Sequence, residues 1–144
     1  MDQELKREII MEHYSHPKNK CRTIDNDYIK VNTANESCID NIDIYIKIKD
    51  NVIEDILFDG EACAISISST SIMITNLIGK TVSDALDYIN NFEAMVDEKQ
   101  CNKDLLKEAI VYEDIYKQSN RKNCALLPYK GIKDALREYN KENK

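Results

Sequence analysis

The sequence predicts an α+β fold, a meander of three antiparallel strands with one covered face, accompanied by helices. Two patterns carry the prediction. Ile42, Ile44, Ile46 and Ile48 alternate with Asp43, Tyr45, Lys47 and Lys49, the period of a half-buried strand. The two-residue turn candidate Asp50-Asn51 then leads into the returning run Val52–Phe58, which makes a hairpin. Outside this hairpin most of the apolar residues recur at helical spacing.

The elements follow in order. From Asp2 to about Tyr14, Leu5, Ile9 and Ile10 stand among Glu, Lys and Arg at helical intervals, and Pro17 marks the end. Residues Tyr28–Thr33 read as a short strand. The segment AISISSTSIMITNLI after Cys63 is ambiguous. Its β-branched residues favour a strand, whereas Ile67, Ser71, Ile74 and Ile78 make a helical stripe that Gly79 would stop. Thr81 is an N-cap candidate with Asp84 in the first turn, and Val82, Leu86, Ile89 and Met95 describe a helix. Lys103–Tyr116 and Pro128–Tyr139 read as two more. There is no repeat, low-complexity tract or linker, so residues 1–144 read as a single domain.

Composition excludes several classes. With 20 Lys and Arg against 26 Asp and Glu, the net charge of −6 speaks against a general nucleic-acid surface. The basic stretch from Arg121 to Lys144 reads first as a solvated helix face and second as a docking surface for an acidic partner. No apolar run is long enough to span a bilayer, and the charged start MDQELKREII has no signal-peptide core. A cytoplasmic location follows as the expectation. The five cysteines are then expected as free thiols or metal ligands.

Three of those cysteines and one aspartate are placed for chemistry. Cys38 and Asp40 lie just before the first hairpin strand, and Cys63 lies just after the second. An antiparallel pair brings those points to the same end. Thiolate and carboxylate donors suit a tetrahedral zinc or an iron–sulfur site. Cys124 is not placed by this geometry. It precedes the helix read from Pro128, and a helix N-terminus favours a thiolate. Cys21 and Cys101 read as incidental, His13 and His16 as packing or surface residues, and the Ser66–Ser71 run as close helix packing. No Gly-rich phosphate loop and no Ser/His/Asp arrangement is visible.

Four blocks carry a resemblance over nearly the whole chain: IIMEHYSHPKNK, NESCID, IEDILFDGEACAISISSTSIM and RKNCALLPYKGIKDAL. Together they resemble the SufU-type branch of the IscU/NifU-like iron–sulfur assembly proteins. The resemblance implies a three-stranded antiparallel sheet covered by helices, and it resolves the segment after Cys63 as a helix. It implies Cys38, Asp40, Cys63 and Cys124 as metal ligands. IscU-type scaffolds usually carry a histidine immediately before the third cysteine, where this chain has Asn123. SufU-type members have an arginine three residues before it, as Arg121 is here, and a longer interval from the second cysteine.

The SufU-type resemblance implies a zinc-dependent sulfurtransferase that accepts persulfide sulfur from a pyridoxal-phosphate cysteine desulfurase of SufS type. Downstream iron–sulfur assembly proteins would be further partners. Cys124 is then the sulfur acceptor, and Arg121 stabilises thiolate or persulfide charge or is a plain surface arginine. Two alternatives stand beside this reading: a scaffold building a [2Fe–2S] cluster on the same ligands, and a docking module with structural zinc. The chain departs from the family pattern at Ile39 and Ala62, which replace glycines, and at Glu36-Ser37, which replaces a proline-containing approach to Cys38.

Overall fold

The computed structural model describes residues 1–20, 26–35 and 39–142. Helix α1 (Gln3–Ser15) is capped by Asp2, whose side chain accepts from the Leu5 N–H. Strands β1 (Ile29–Ala34), β2 (Asn41–Lys49) and β3 (Val52–Glu61) form an antiparallel sheet in the order β1-β2-β3. Helices α2 (Ala64–Leu77), α3 (Val82–Val96) and α4 (Ser119–Glu142) complete the regular elements.

The hairpin forms as its alternation predicts. Ile42, Ile44 and Ile46 of β2 and Ile53, Ile56 and Phe58 of β3 are fully buried on one face of the sheet. Asp50 and Asn51 both take positive φ, 53° and 64°, as a two-residue hairpin turn with the twist of its strands requires. Pairing runs to Asn41↔Glu61 at the far end, which fixes Asp40 opposite the segment that leads to Cys63. Gly60 guards that end. Its φ is +136°, and a Cβ there would stand 2.2 Å from the Asn41 carbonyl oxygen. Gly60→Ala is therefore expected to destabilise the protein by about 2–3 kcal/mol or more, read as a lowered urea midpoint.

The segment after Cys63 is a helix, against its β-branched composition. Ten of the 14 residues of α2 are buried, among them Ser66, Ser68, Ser69, Thr70 and Ser71. A helix buried over most of its surface needs no amphipathic stripe. Its small hydroxyl residues let neighbours approach closely: Ser68 meets the Tyr112 hydroxyl at 2.5 Å, and Ser71 meets His13 Nδ1 at 2.7 Å. The expected cap and start of α3 also hold, with the Thr81 hydroxyl accepting from the Asp84 N–H at 3.1 Å.

Two expectations are corrected. Lys103–Tyr116 is not an α-helix. It forms 3₁₀ turns at Lys103–Leu105, Lys107–Tyr112 and Ile115–Lys117, and Lys107 takes a φ of 51° that no α-helix accommodates. The buried residues Leu106, Ala109, Tyr112 and Ile115 recur every third position, the period of the tighter helix. The last helix begins at Ser119, well before Pro128, which lies inside it. Cys124 therefore sits in the second turn of α4 and does not precede the helix.

A proline within a helix removes the donor to the carbonyl four residues back, here that of Cys124. Side chains from outside the helix meet the carbonyls around it. Ser66 Oγ lies 3.0 Å from the Cys124 oxygen, Ser69 donates to Ala125 at 2.7 Å, and Thr33 donates to Leu127 at 3.0 Å. These contacts tie α4 to α2 and β1, and so carry Cys124 to the open end of the hairpin. Part of the basic stretch is engaged as well, since Lys122 pairs with Asp97 and Lys133 with Glu93.

Candidate metal centre

Asp40, Cys63 and Cys124 converge at the end of the hairpin where β2 begins and β3 ends. Their ligand atoms all lie within 4.8 Å of one another. Each comes from a different setting. Asp40 directly precedes β2, Cys63 is the N-cap of α2, and Cys124 is held by α4. The helix N-terminus in this site thus belongs to Cys63 rather than to Cys124. Negative charge gathered by the three donors lies at the positive end of α2. Cys38 lies outside the described residues, as does Cys21. Cys101 is half-buried and is not among the grouped donors.

Asp40 is 1% exposed, and a buried carboxylate demands partners. Its Oδ1 accepts from the Cys63 backbone N–H at 2.7 Å, and its Oδ2 accepts from the Ser66 hydroxyl at 2.7 Å. Burial alone would push the Asp40 carboxyl up. The hydrogen bonds from Ser66, the Cys63 backbone and the two thiols outweigh it and hold the group below its ordinary value. For Cys124 the balance runs the other way. Burial, then the neighbouring Asp40 and Cys63, push its thiol well up in the metal-free site. A divalent cation reverses that balance, because a coordinating thiol is deprotonated outright.

The donor types suit a tetrahedral ion, and one donor pair already has its spacing. Asp40 Oδ2 lies 3.6 Å from Cys63 Sγ. Zinc–sulfur bonds of about 2.3 Å and zinc–oxygen bonds of about 2.0 Å at tetrahedral angles place neighbouring donors about 3.5–3.8 Å apart. Asn123, at the position where IscU-type scaffolds carry histidine, is exposed.

A cleft of about 680 Å³ opens on the two sulfurs between α1 and the start of α4. Ile10, Ile65 and Val111 contribute its apolar wall, and Arg7 and Arg121 also line it. Neither arginine makes an ion pair with another described residue. Arg121 is exposed in the first turn of α4, three residues before Cys124. A second groove, lined by Tyr14, Ile39 and Ala62, lies at the end of β3, and Ile39 is 77% exposed. Sequence reasoning missed Arg7, which carries no motif signal, and Ser66, which lay inside a run read only as packing.

A three-stranded antiparallel sheet that presents an aspartate and two cysteines at a helix-flanked end defines a domain with a candidate metal centre. The family model for the NifU-like N terminal domain matches residues 5–144, and the chain belongs to that family. It is 33% identical to the zinc-dependent sulfurtransferase SufU of Bacillus subtilis over 92% of this chain and 89% of that protein. It is 34% identical to the iron–sulfur cluster assembly scaffold protein IscU of Thermotoga maritima over 72% of this chain and 73% of that one. A Fervidobacterium islandicum crystal structure, named for an iron–sulfur cluster assembly scaffold of the SUF system, superposes with a TM-score of 0.86. Its sequence identity is 34%, with 90% of this chain and 94% of that chain covered.

Proposed function

We propose that this protein is a zinc-dependent sulfur acceptor of iron–sulfur cluster assembly, taking persulfide sulfur from a pyridoxal-phosphate cysteine desulfurase. The observation that carries the reading is the convergence of one carboxylate and two thiols within 4.8 Å, on a chain similar to a zinc-dependent sulfurtransferase over nearly its whole length. Asp40, Cys63 and Cys124 hold the zinc, with Cys38 as the fourth ligand. The bound ion keeps these sulfurs as thiolates at neutral pH.

Cys124 accepts the sulfur. Its thiolate attacks the outer sulfur of the desulfurase persulfide, a new S–S bond forms, the old one breaks, and the desulfurase thiolate leaves. Arg121 and Arg7 supply positive charge along the cleft where that exchange takes place. The exposed Ile39 and Tyr14, which line a groove with Ala62, support docking of a protein surface around the site. Incubation of the zinc-loaded chain with a matched desulfurase and cysteine should raise desulfurase turnover and add sulfur to the chain. Neither effect appearing would overturn the reading.

The scaffold reading retains one specific support, the similarity to the Thermotoga maritima scaffold. On that reading a [2Fe–2S] cluster is the cargo on the same donors, and anaerobically purified protein would be coloured.

Asp40→Ala tests the carboxylate. Three thiolates remain, so zinc is expected to stay bound but to be lost to a competing chelator at least about tenfold faster. The Cys63 N–H also loses its acceptor, at a cost of about 1–3 kcal/mol. Zinc affinity and sulfur transfer both equal to wild type would remove Asp40 from the ligand set.

A further inference from the structure

The cleft of about 680 Å³ beside Cys63 and Cys124 has a charge pattern of its own. Its charged lining is Lys6, Arg7, Asp114 and Arg121. Lys6 and Asp114 are already matched. Lys6 is 5% exposed and lies 2.9 Å from Asp114 and 3.4 Å from Glu113, and Lys117 approaches Asp114 at 3.9 Å. These two lysines and two carboxylates balance. Arg7 and Arg121 have no carboxylate partner among the described residues, and both are exposed. In a chain of net charge −6, two unmatched guanidinium groups in one cleft focus a positive potential there.

The rest of the lining narrows the ligand. Ile10, Ile65 and Val111 offer apolar surface to an organic body. A cleft of this volume suits a small molecule rather than a bare ion. A guanidinium presents a planar fork that matches a carboxylate. Cys63 and Cys124 border the same space, where a ligand's own sulfur would meet them.

We propose that this cleft binds a small thiol bearing carboxylate groups, and that the bound thiol takes sulfur off the protein. The proposal goes beyond the sulfur-acceptor reading above and rests on it for the persulfide on Cys124. The thiolate of the bound molecule attacks the outer sulfur of that persulfide. A new S–S bond forms to the small molecule, the protein S–S bond breaks, and Cys124 leaves as a thiolate. No oxidant or reductant is consumed, since one persulfide replaces another. Arg7 and Arg121 hold the carboxylates, so the attack proceeds within a complex instead of by collision.

Binding is tested first, with a probe that cannot react. (Methylthio)succinate has two carboxylates and a capped sulfur, and its dimethyl ester keeps the body but loses both charges. Each is titrated into the zinc-loaded full-length chain while the amide NMR shifts of the cleft residues are followed. The acid is expected to saturate and the ester to bind more weakly. Arg7→Gln and Arg121→Gln should each weaken the acid about two- to fivefold, and the two together about tenfold. Arg137 is exposed on α4 and lies outside the cleft, so Arg137→Gln controls for general charge and should bind the acid as wild type does. Absence of saturation, an ester as tight as the acid, or an equal loss in Arg137→Gln would each overturn the site. An acid that fails to bind, with desulfurase affinity lowered in the double variant, would give the cleft to a protein surface instead.

Transfer is tested on the chain loaded with sulfur by a matched desulfurase and then separated from it. Mercaptosuccinate and 2-mercaptoethanol are compared as acceptors, with mass spectrometry following the sulfur from the protein to the small thiol. The rate with mercaptosuccinate is expected to saturate with concentration. Its ratio to the rate with 2-mercaptoethanol should fall about tenfold in the double arginine variant. The ratio cancels the different intrinsic reactivities of the two thiols. A ratio unmoved by the double substitution would overturn the unloading step. A chain that takes no sulfur from the desulfurase would overturn the sulfur-acceptor reading and the unloading step with it, while the unreactive probe still decides the cleft.

Discussion

Cys124→Ala is expected to abolish sulfur acceptance while leaving the sheet and its hairpin in place. Cys63 and Cys124 both border the cleft, but they are not equivalent. Cys63 caps α2, its N–H is committed to Asp40, and its sulfur lies 3.6 Å from both Asp40 Oδ2 and the Ser66 hydroxyl. Cys124 lies one helical turn beyond Arg121, on the side of α4 that faces the cleft. Mass spectrometry after incubation with desulfurase and cysteine should place the added sulfur on the peptide carrying Cys124. The Cys124→Ala chain should carry none and should return desulfurase turnover to its unassisted rate. Cys101→Ala should behave as wild type, since Cys101 is outside the donor group. Sulfur found instead on Cys63 or Cys38 would move the acceptor role to that residue.

The hairpin half of the site was legible in the sequence because strand period and connection geometry are local. The alternation from Ile42 to Ile48 fixes a strand, and the turn at Asp50-Asn51 returns it. Asp40 and Cys63 must then meet, and they do, through a 2.7 Å hydrogen bond. The α4 half was not legible in that way. Residues 119–123 are all polar and give no apolar period, so the sequence pattern starts the helix only at Pro128. Its true start depends on tertiary partners, the hydroxyls of Ser66, Ser69 and Thr33, that satisfy carbonyls around the proline. The same distant pairing hid Ser66, whose role appears only when α2 and α4 are side by side. The 3₁₀ turns had left a trace in the three-residue spacing of Leu106, Ala109, Tyr112 and Ile115, which a helical reading of Lys103–Tyr116 passed over.

Removing the metal is expected to cost the fold as well as the activity, and the cost should grow with pH. The donors come from three separate segments, so an ion that binds them together stabilises only the folded chain. With free zinc a thousandfold above its dissociation constant the stabilisation is about 4 kcal/mol, on the order of 10 °C in Tm for a chain of this size. Chelation, or Cys63→Ser, should remove most of it. In the metal-free protein the Cys124 thiol is pushed up by burial and by Asp40 and Cys63. Above the ordinary thiol value of about 8.5, the unfolded chain gives up that proton while the folded chain keeps it. The folded state then binds more protons than the unfolded one, and stability falls as pH rises. A zinc bound by these donors would hold the sulfur as a thiolate in the folded state and remove that loss. Asp40 acts at the other end of the scale. Its carboxyl is held low in the folded chain, so its contribution is present above the ordinary carboxylate value and is lost as pH falls through the folded one. Melts of zinc-loaded and chelated protein at neutral pH and at pH values above the thiol range should therefore diverge, with the chelated curve falling further. Two curves that coincide at every pH would mean that no metal links these three donors.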